Sequence, residues 1–516
     1  MTADASGGFL AYHEPDIISI LTLISFFLFL AIAEWLADKI VRASLIGHII
    51  VGLIYGVPIA NILGLDWQAT FLALGYIGLI LIIFEGGLTI RLDLLRQNLM
   101  LSVIAALLGV LTPIALSFAL LYAGFHHTPL EAFIVGTALC STSLGTTFVV
   151  LSSASKSKPK PNHNLPPHAQ VSTPAVDFSQ TRIGTVLVSA AVLDDVCGLV
   201  LVSVIHNLRD IAGDDGGTGS TSLGWIIGRP VLASGLMALL TPIVTKFAAG
   251  PLYRRFVAPW LLCFASVGHV FNILLMVVVL CAFLAIAAYA GASMLFGAFL
   301  AGAFVSGLLG SKVRDTPGEA GVLAFVDSFE HYLGAPQKYV FQPLFFASIG
   351  FAIPFLDLWT GEVIWKGVVY TLLMVFAKLI VGIVVPAWDF ISPRIRTRNS
   401  EKMPVPVTVT ASWAPATLLG ACMVARGEIG LLIIQIGLNE TPFLTHKAFI
   451  IGVWAIVLNT IIGPVLVGIL LKRTGTTIAE DARWGVQAKH GSDTETTTEA
   501  EPTGTSGGTS PTLRLA

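Results

Sequence analysis

An all-α polytopic membrane protein is the fold class this sequence predicts, on three observations. The chain has 516 residues, of which 55% are hydrophobic and only 12% charged. Its mean hydropathy is +0.83. Apolar runs long enough to cross a bilayer recur from one end to the other. A soluble domain carries roughly 25% charged residues, so the composition alone sets this chain apart. The net charge of −2 averages over buried and wet segments and gives no sign of nucleic-acid binding. The expected surroundings are the lipid bilayer and small ions.

A hydrocarbon core of about 30 Å takes roughly 17 to 25 helical residues. Runs of that kind lie near 17–36, 44–60, 69–86, 99–123, 131–151, 182–205, 224–248, 268–289, 293–310, 338–357, 364–386, 413–437 and 446–471. About thirteen transmembrane helices are therefore expected, the eighth and ninth joined by a very short turn. The first sixteen residues lack the basic flank and cleavage site of a signal peptide, so the first span is expected to stay.

Lys and Arg should concentrate in alternate loops if the spans are placed correctly. The odd-numbered loops and their edges hold 18 basic residues and the even-numbered ones 4. This bias predicts residues 1–16 outside the cytoplasm, a transmembrane unit over 17–471 and a cytoplasmic C-terminus. Two polar, turn-rich stretches resist helix assignment: a cytoplasmic loop over 153–181 and a tail over 472–516, which is expected to be disordered. The tail has no GxGxxG after a strand, and no cofactor is expected. No sorting signal selects a plasma or an organelle membrane. Cys140, Cys197, Cys263, Cys281 and Cys422 lie in or beside apolar segments without ligand spacing and read as small core residues.

An ionisable side chain at mid-membrane costs from about 3 to above 10 kcal/mol, so each one inside a span marks a functional position. Asp194 and Asp195 stand at the centre of VLVSAAVLDDVCGLVLVSVI. Adjacent helical residues point about 100° apart, so one carboxylate can face a water-filled cavity while the other faces a neighbouring helix. Two such carboxylates resist simultaneous ionisation, which sets proton uptake in competition with cation binding. Lys378, deep inside VVYTLLMVFAKLIVGIVV, is the expected partner of one of them. Glu85 in LILIIFEGGLTI and Arg426 in LLGACMVARGEIGLLI form a second candidate pair, structural or functional. Glu34 is expected at an interface.

The fifth run, GTALCSTSLGTTFVVL, is rich in hydroxyls and carries Gly145. The twelfth has Pro415, Gly420, Gly427 and Gly430 around its arginine. Both look weakened as helices, as in transporters that bind ions at interrupted helices within inverted repeats. Hydroxyls plus a carboxylate suit a hard cation such as sodium. Back-bonding to the preceding turn explains most such Ser and Thr equally well. Close helix packing explains Gly297, Gly302 and Gly307.

Taken in order, GTALCSTSLGTT, AAVLDDVCGL, FGAFLAGAFVSG, QPLFFASIG, FAKLIVGI and ARGEIGLLI resemble the monovalent cation/proton antiporter superfamily, in particular its sodium/proton exchangers with two adjacent aspartates. The resemblance covers about 20–471. It implies a secondary transporter and not an enzyme, exchanging sodium or lithium for protons by alternating access. It further implies two crossing interrupted helices, a core domain that moves against a dimerisation domain, and a homodimer. Asp195 would bind sodium and the proton, with Thr142 and Ser143 at the crossing beside it. Asp194 would hold Lys378 in a salt bridge that breaks when the ion binds. The two aspartates and the lysine are similar to electrogenic members, and Glu85 with Arg426 to electroneutral ones. A potassium/proton exchanger uses much the same scaffold and is the alternative. An intramembrane aspartyl protease would need its two aspartates on separate helices facing one water, which adjacent residues do not supply.

Overall fold

A backbone inside hydrocarbon has to satisfy every N–H and C=O within its own segment, which is why long apolar runs become helices. The computed structural model describes residues 14–41, 43–90, 98–143, 181–213, 223–259, 265–308, 325–396, 412–479, 481 and 483–485. Among these residues there are helices and no strand.

The first three helices are α1 (Ile17–Val41), α2 (Ser44–Tyr55) and α3 (Leu65–Leu88). Next come α4 (Leu99–Ser117), drawn out by a wider turn over Phe118–Gly124, and the short α5 (Pro129–Ala138). A capping box starts α5, with Thr128 and Glu131 bonding each other's backbone N–H. Then follow α6 (Arg182–Gly213), α7 (Leu223–Val244), α8 (Ala265–Ala290) and α9 (Met294–Leu308). The predicted short turn between α8 and α9 is made by Gly291 at φ +84°, a left-handed conformation that glycine adopts without strain.

The last third contains α10 (Gln342–Phe351), reached through helical turns from residue 325, then α11 (Gly361–Leu379) and α12 (Val384–Arg396) in one nearly continuous rod. It closes with α13 (Trp413–Cys422), α14 (Glu428–Glu440) and α15 (His446–Ala479). Eight helices among the described residues are long and apolar enough to cross a membrane, and α2, α5 and α9 are shorter apolar ones.

The helices sort into two bodies by what they pack against. In the first, α2 lies between α1 and α10, and α3 lies between α9 and α10, with α8 against α9. In the second, α4, α5, α6, α11, α13, α14 and α15 surround one another, and α7 bridges from α6 to α9. The first body is held by glycine seams. A Cβ added at Gly87 would stand 2.1 Å from the Phe299 carbonyl oxygen, and one at Gly302 would stand 2.1 Å from that of Phe84. No side chain fits at such separations, so the backbones of α3 and α9 touch directly. Gly302→Leu is accordingly expected to force the helices apart and to lower the melting temperature of the purified protein well below that of Gly307→Ala, whose added carbon meets only the Thr245 methyl.

The fifth and twelfth runs are interrupted, as expected: α5 stops at Ala138 and a turn at Leu139 and Cys140 leads into irregular chain to Ser143, while a turn at Met423 and Val424 and irregular chain to Gly427 separate α13 from α14. One expectation changes: the structured chain passes 471, since α15 continues to Ala479 and a turn over 483–485 buries Trp484 completely. The tail's first residues are therefore packed, because they carry a large aromatic ring that the core accommodates. Residues 153–180, the hydroxyl-rich stretch beyond Ser143, and 486–516 lie outside the described residues.

Candidate functional site

The two breaks lie against each other. Ser143 donates its backbone N–H to the Ala425 carbonyl at 2.9 Å, and a Cβ at Gly427 would stand 2.7 Å from the Ser143 Cβ. Glycine at 427 permits this approach. The crossing therefore joins the two non-helical stretches through backbone within the second body. It leaves the end of α5 and the start of α14 as free helix termini there.

Lys378 enters this crossing from α11. Its Nζ donates to Asp194 Oδ2 at 2.6 Å, to the Cys140 carbonyl at 2.5 Å and to Thr142 Oγ1 at 3.0 Å. All three ammonium donors have partners. Thr142 passes its own hydroxyl proton to Asp194 Oδ2 at 2.6 Å, so threonine accepts from the lysine and donates to the aspartate. Asp194 and Lys378 are both 0% exposed. A buried ion pair persists only when hydrogen bonds satisfy what the charges leave over, and Thr142 and Cys140 supply them.

Asp195 is turned away from this pair, as adjacency on a helix requires. It is partly accessible while Asp194 is sealed, and the Thr142 backbone N–H bonds to its carboxyl group. Its Oδ1 and that of Asp194 are themselves buried, and neither has a hydrogen-bond donor among the described residues. Glu428, in the first turn of α14, is a further acid whose charge acts on Asp195. A carboxylate with a free oxygen, beside a second acid and hydroxyl-bearing chain, is a site for a hard cation or a proton.

Arg426 and Glu85 do not pair. Glu85 on α3 accepts from Gln337 Nε2 at 2.6 Å, within the first body. Arg426 is fully buried in the second, where its Nη1 donates to the carbonyls of Ser141 at 2.8 Å and Cys140 at 3.4 Å. The physical reason is the end of α5, whose terminal carbonyls have no intrahelical donors and present the negative end of the helix dipole. Two cations, Lys378 and Arg426, converge there. Glu34 lies 3.6 Å from His48 on α2, away from the crossing.

Sequence reasoning placed Asp194, Asp195, Thr142, Ser143 and Lys378, and the structure brings them together. It missed Gly109 on α4, where a Cβ would stand 3.4 Å from Lys378 Nζ and 3.5 Å from Asp194 Oδ1. The Met423 methyl stands closer still, at 3.1 Å, so a glycine here lets α4 pack close against the ion pair, and nothing in its neighbourhood in the sequence marks it. It also missed the Cys140 carbonyl, since a backbone acceptor has no letter of its own.

The family model described as sodium/hydrogen exchanger, transmembrane, matches residues 24–473. A Na(+)/H(+) antiporter of Enterococcus hirae is 25% identical over 435 residues, 83% of this chain and 92% of that protein. The Na(+)/H(+)-K(+) antiporter GerN of Bacillus cereus is 24% identical over 437 residues, 83% of this chain and 90% of that one. Among solved structures, the sodium proton antiporter MjNhaP1 from Methanocaldococcus jannaschii has a similar fold. Its TM-score is 0.51 at 18% identity, covering 89% of this chain and 99% of the other. With the family match running from α1 to the end of α15's apolar run, the chain belongs to the transmembrane sodium/hydrogen exchanger family, within the monovalent cation/proton antiporter superfamily.

Proposed function

We propose that this protein exchanges sodium or lithium for protons, with Asp195 as the carboxylate at which cation and proton compete. The observation that carries the reading is the division of labour between neighbours: Asp194 is locked to Lys378 and Thr142, while Asp195 keeps an oxygen without a donor among the described residues. A cation approaching Asp195 also acts on Asp194, and the proposed cycle loosens the Asp194–Lys378 bridge as the ion binds. Thr142 and Ser143 line the crossing next to it. The second body moves against the first so that the site faces each side in turn, and the first body supplies the contact of a homodimer. The excess of basic residues in alternate loops supports a cytoplasmic C-terminus.

Potassium is the second reading, favoured by the similarity to an antiporter whose name includes that ion. The test is proton flux in liposomes of purified protein under an imposed pH gradient, with sodium, lithium or potassium added in turn. Flux with sodium and lithium is the expected result, and its response to membrane potential gives the stoichiometry. Potassium alone would replace the leading reading with the second, and silence with all three would overturn both.

A further inference from the structure

The segment just after α15 makes a set of contacts that the exchange cycle does not use. Trp484 is fully buried, and its indole N–H donates to Asp389 Oδ2 at 3.0 Å. The same oxygen accepts from Arg483 Nη1 at 3.1 Å and from the Ser412 hydroxyl at 2.5 Å. On the other side, the Arg182 and Ile183 backbone N–H groups donate to the Gly485 and Trp484 carbonyls at 3.1 and 3.2 Å. The Arg182 guanidinium lies over the Trp484 ring at 4.9 Å and donates to Asn98 at the start of α4. Asp481 stands 3.8 Å from Arg483 and accepts from the Arg483 and Trp484 backbone N–H groups.

These partners are not scattered. Arg182 begins α6, which carries Asp194; Asp389 lies on α12, which continues α11 beyond Lys378; Ser412 precedes α13, which leads to the crossing at Met423. Along each helix the distance to the site is nearly the same. At 1.5 Å per residue, Arg182 to Asp194, Asp389 to Lys378 and Ser412 to Met423 each come to roughly 16 to 18 Å.

We infer that Asp481 and residues 483–485 form a positioning clamp for the exchange site, setting the axial register of the three helices that deliver Asp194, Lys378 and the crossing. The inference rests on the proposed role of the Asp194–Lys378 pair. Trp484, Arg483 and Asp389 are positioning residues, since none touches the ion. A misplacement of order 1 Å at a reacting centre can cost about 100-fold, and a register shift of α6 against α11 acts on the bridge itself.

The experiment compares the full chain with chains ended after residue 487 and after residue 479, together with Trp484→Ala, Trp484→Phe and Ser412→Ala. Two readouts are taken per amount of folded protein. One is the pH profile of sodium-driven proton flux in liposomes, and the other is amide hydrogen exchange over residues 182–194. Ending after 487 is expected to leave both unchanged. Ending after 479 or Trp484→Ala is expected to lower flux roughly tenfold, to shift the pH profile, and to remove protection from the first turns of α6. Trp484→Phe, which keeps an aromatic ring but loses the indole N–H and part of its volume, should retain most of each. If the strongest variants do not fold, Ser412→Ala and Trp484→Phe carry the test through a smaller shift in the same direction.

A pH profile that stays in place in every folded variant would overturn the clamp as a positioning device and leave it a stability staple. If the full chain itself carries no sodium-driven flux, the proposed function is what falls. Protection then decides the clamp alone, and unchanged protection overturns it.

Discussion

Asp195→Asn is expected to reduce sodium-driven proton flux to that of protein-free liposomes while the protein purifies in normal yield and with an unchanged melting temperature. Asparagine has the shape of aspartate and keeps a carbonyl oxygen for the Thr142 backbone N–H that bonds at this position. The Asp194–Lys378 bridge does not involve this side chain, so the crossing has no reason to collapse. What the substitution removes is ionisation: an amide neither takes up a proton in this range nor offers a full negative charge to sodium. Exchange needs both from the same group. Flux retained at the level of the unaltered protein, measured side by side in the same liposomes, would move the binding carboxylate elsewhere, with Glu428, whose charge acts at this position, the first candidate.

The sequence made some of this legible because the membrane makes certain residues expensive. Asp194, Asp195 and Lys378 are conspicuous in apolar runs, and few groups are available to compensate them. The pairing of an acid with the mid-span lysine followed from charge alone. The choice of Asp194 over Asp195 came only with the family resemblance, since adjacency says that the two diverge without saying which faces inward.

Charge reasoning failed for Glu85 and Arg426 because it matches side chains with side chains. Arg426 is compensated by the carbonyls at the end of α5 and Glu85 by a glutamine, neither of which a count of charges can weigh. The breaks in the two helices were foreseen near the right residues. Their extent was not, since it is set by how the non-helical chain at Ser143 meets that at Ala425 across the molecule. Trp484 was lost in a polar stretch whose composition outweighed one aromatic residue.

For Lys378→Ala the expected result is a loss of stability together with a changed pH dependence of transport, and a second substitution separates the two. Removing one partner of a buried ion pair leaves the other charge uncompensated and costs about 3 to 5 kcal/mol. Here Asp194 would remain 0% exposed with only the Thr142 hydroxyl to support its charge. Adding Asp194→Asn removes the orphaned charge and should return much of the lost stability, because replacing both members of a buried pair is often neutral. It cannot return the cycle, since no bridge remains to open when the ion binds. Melting temperatures of the two single variants and the double variant across a pH series provide the check. A double variant as unstable as Lys378→Ala would mean that the lysine acts chiefly through the Cys140 carbonyl at the end of α5, and a transport pH profile unmoved in Lys378→Ala would detach the bridge from exchange.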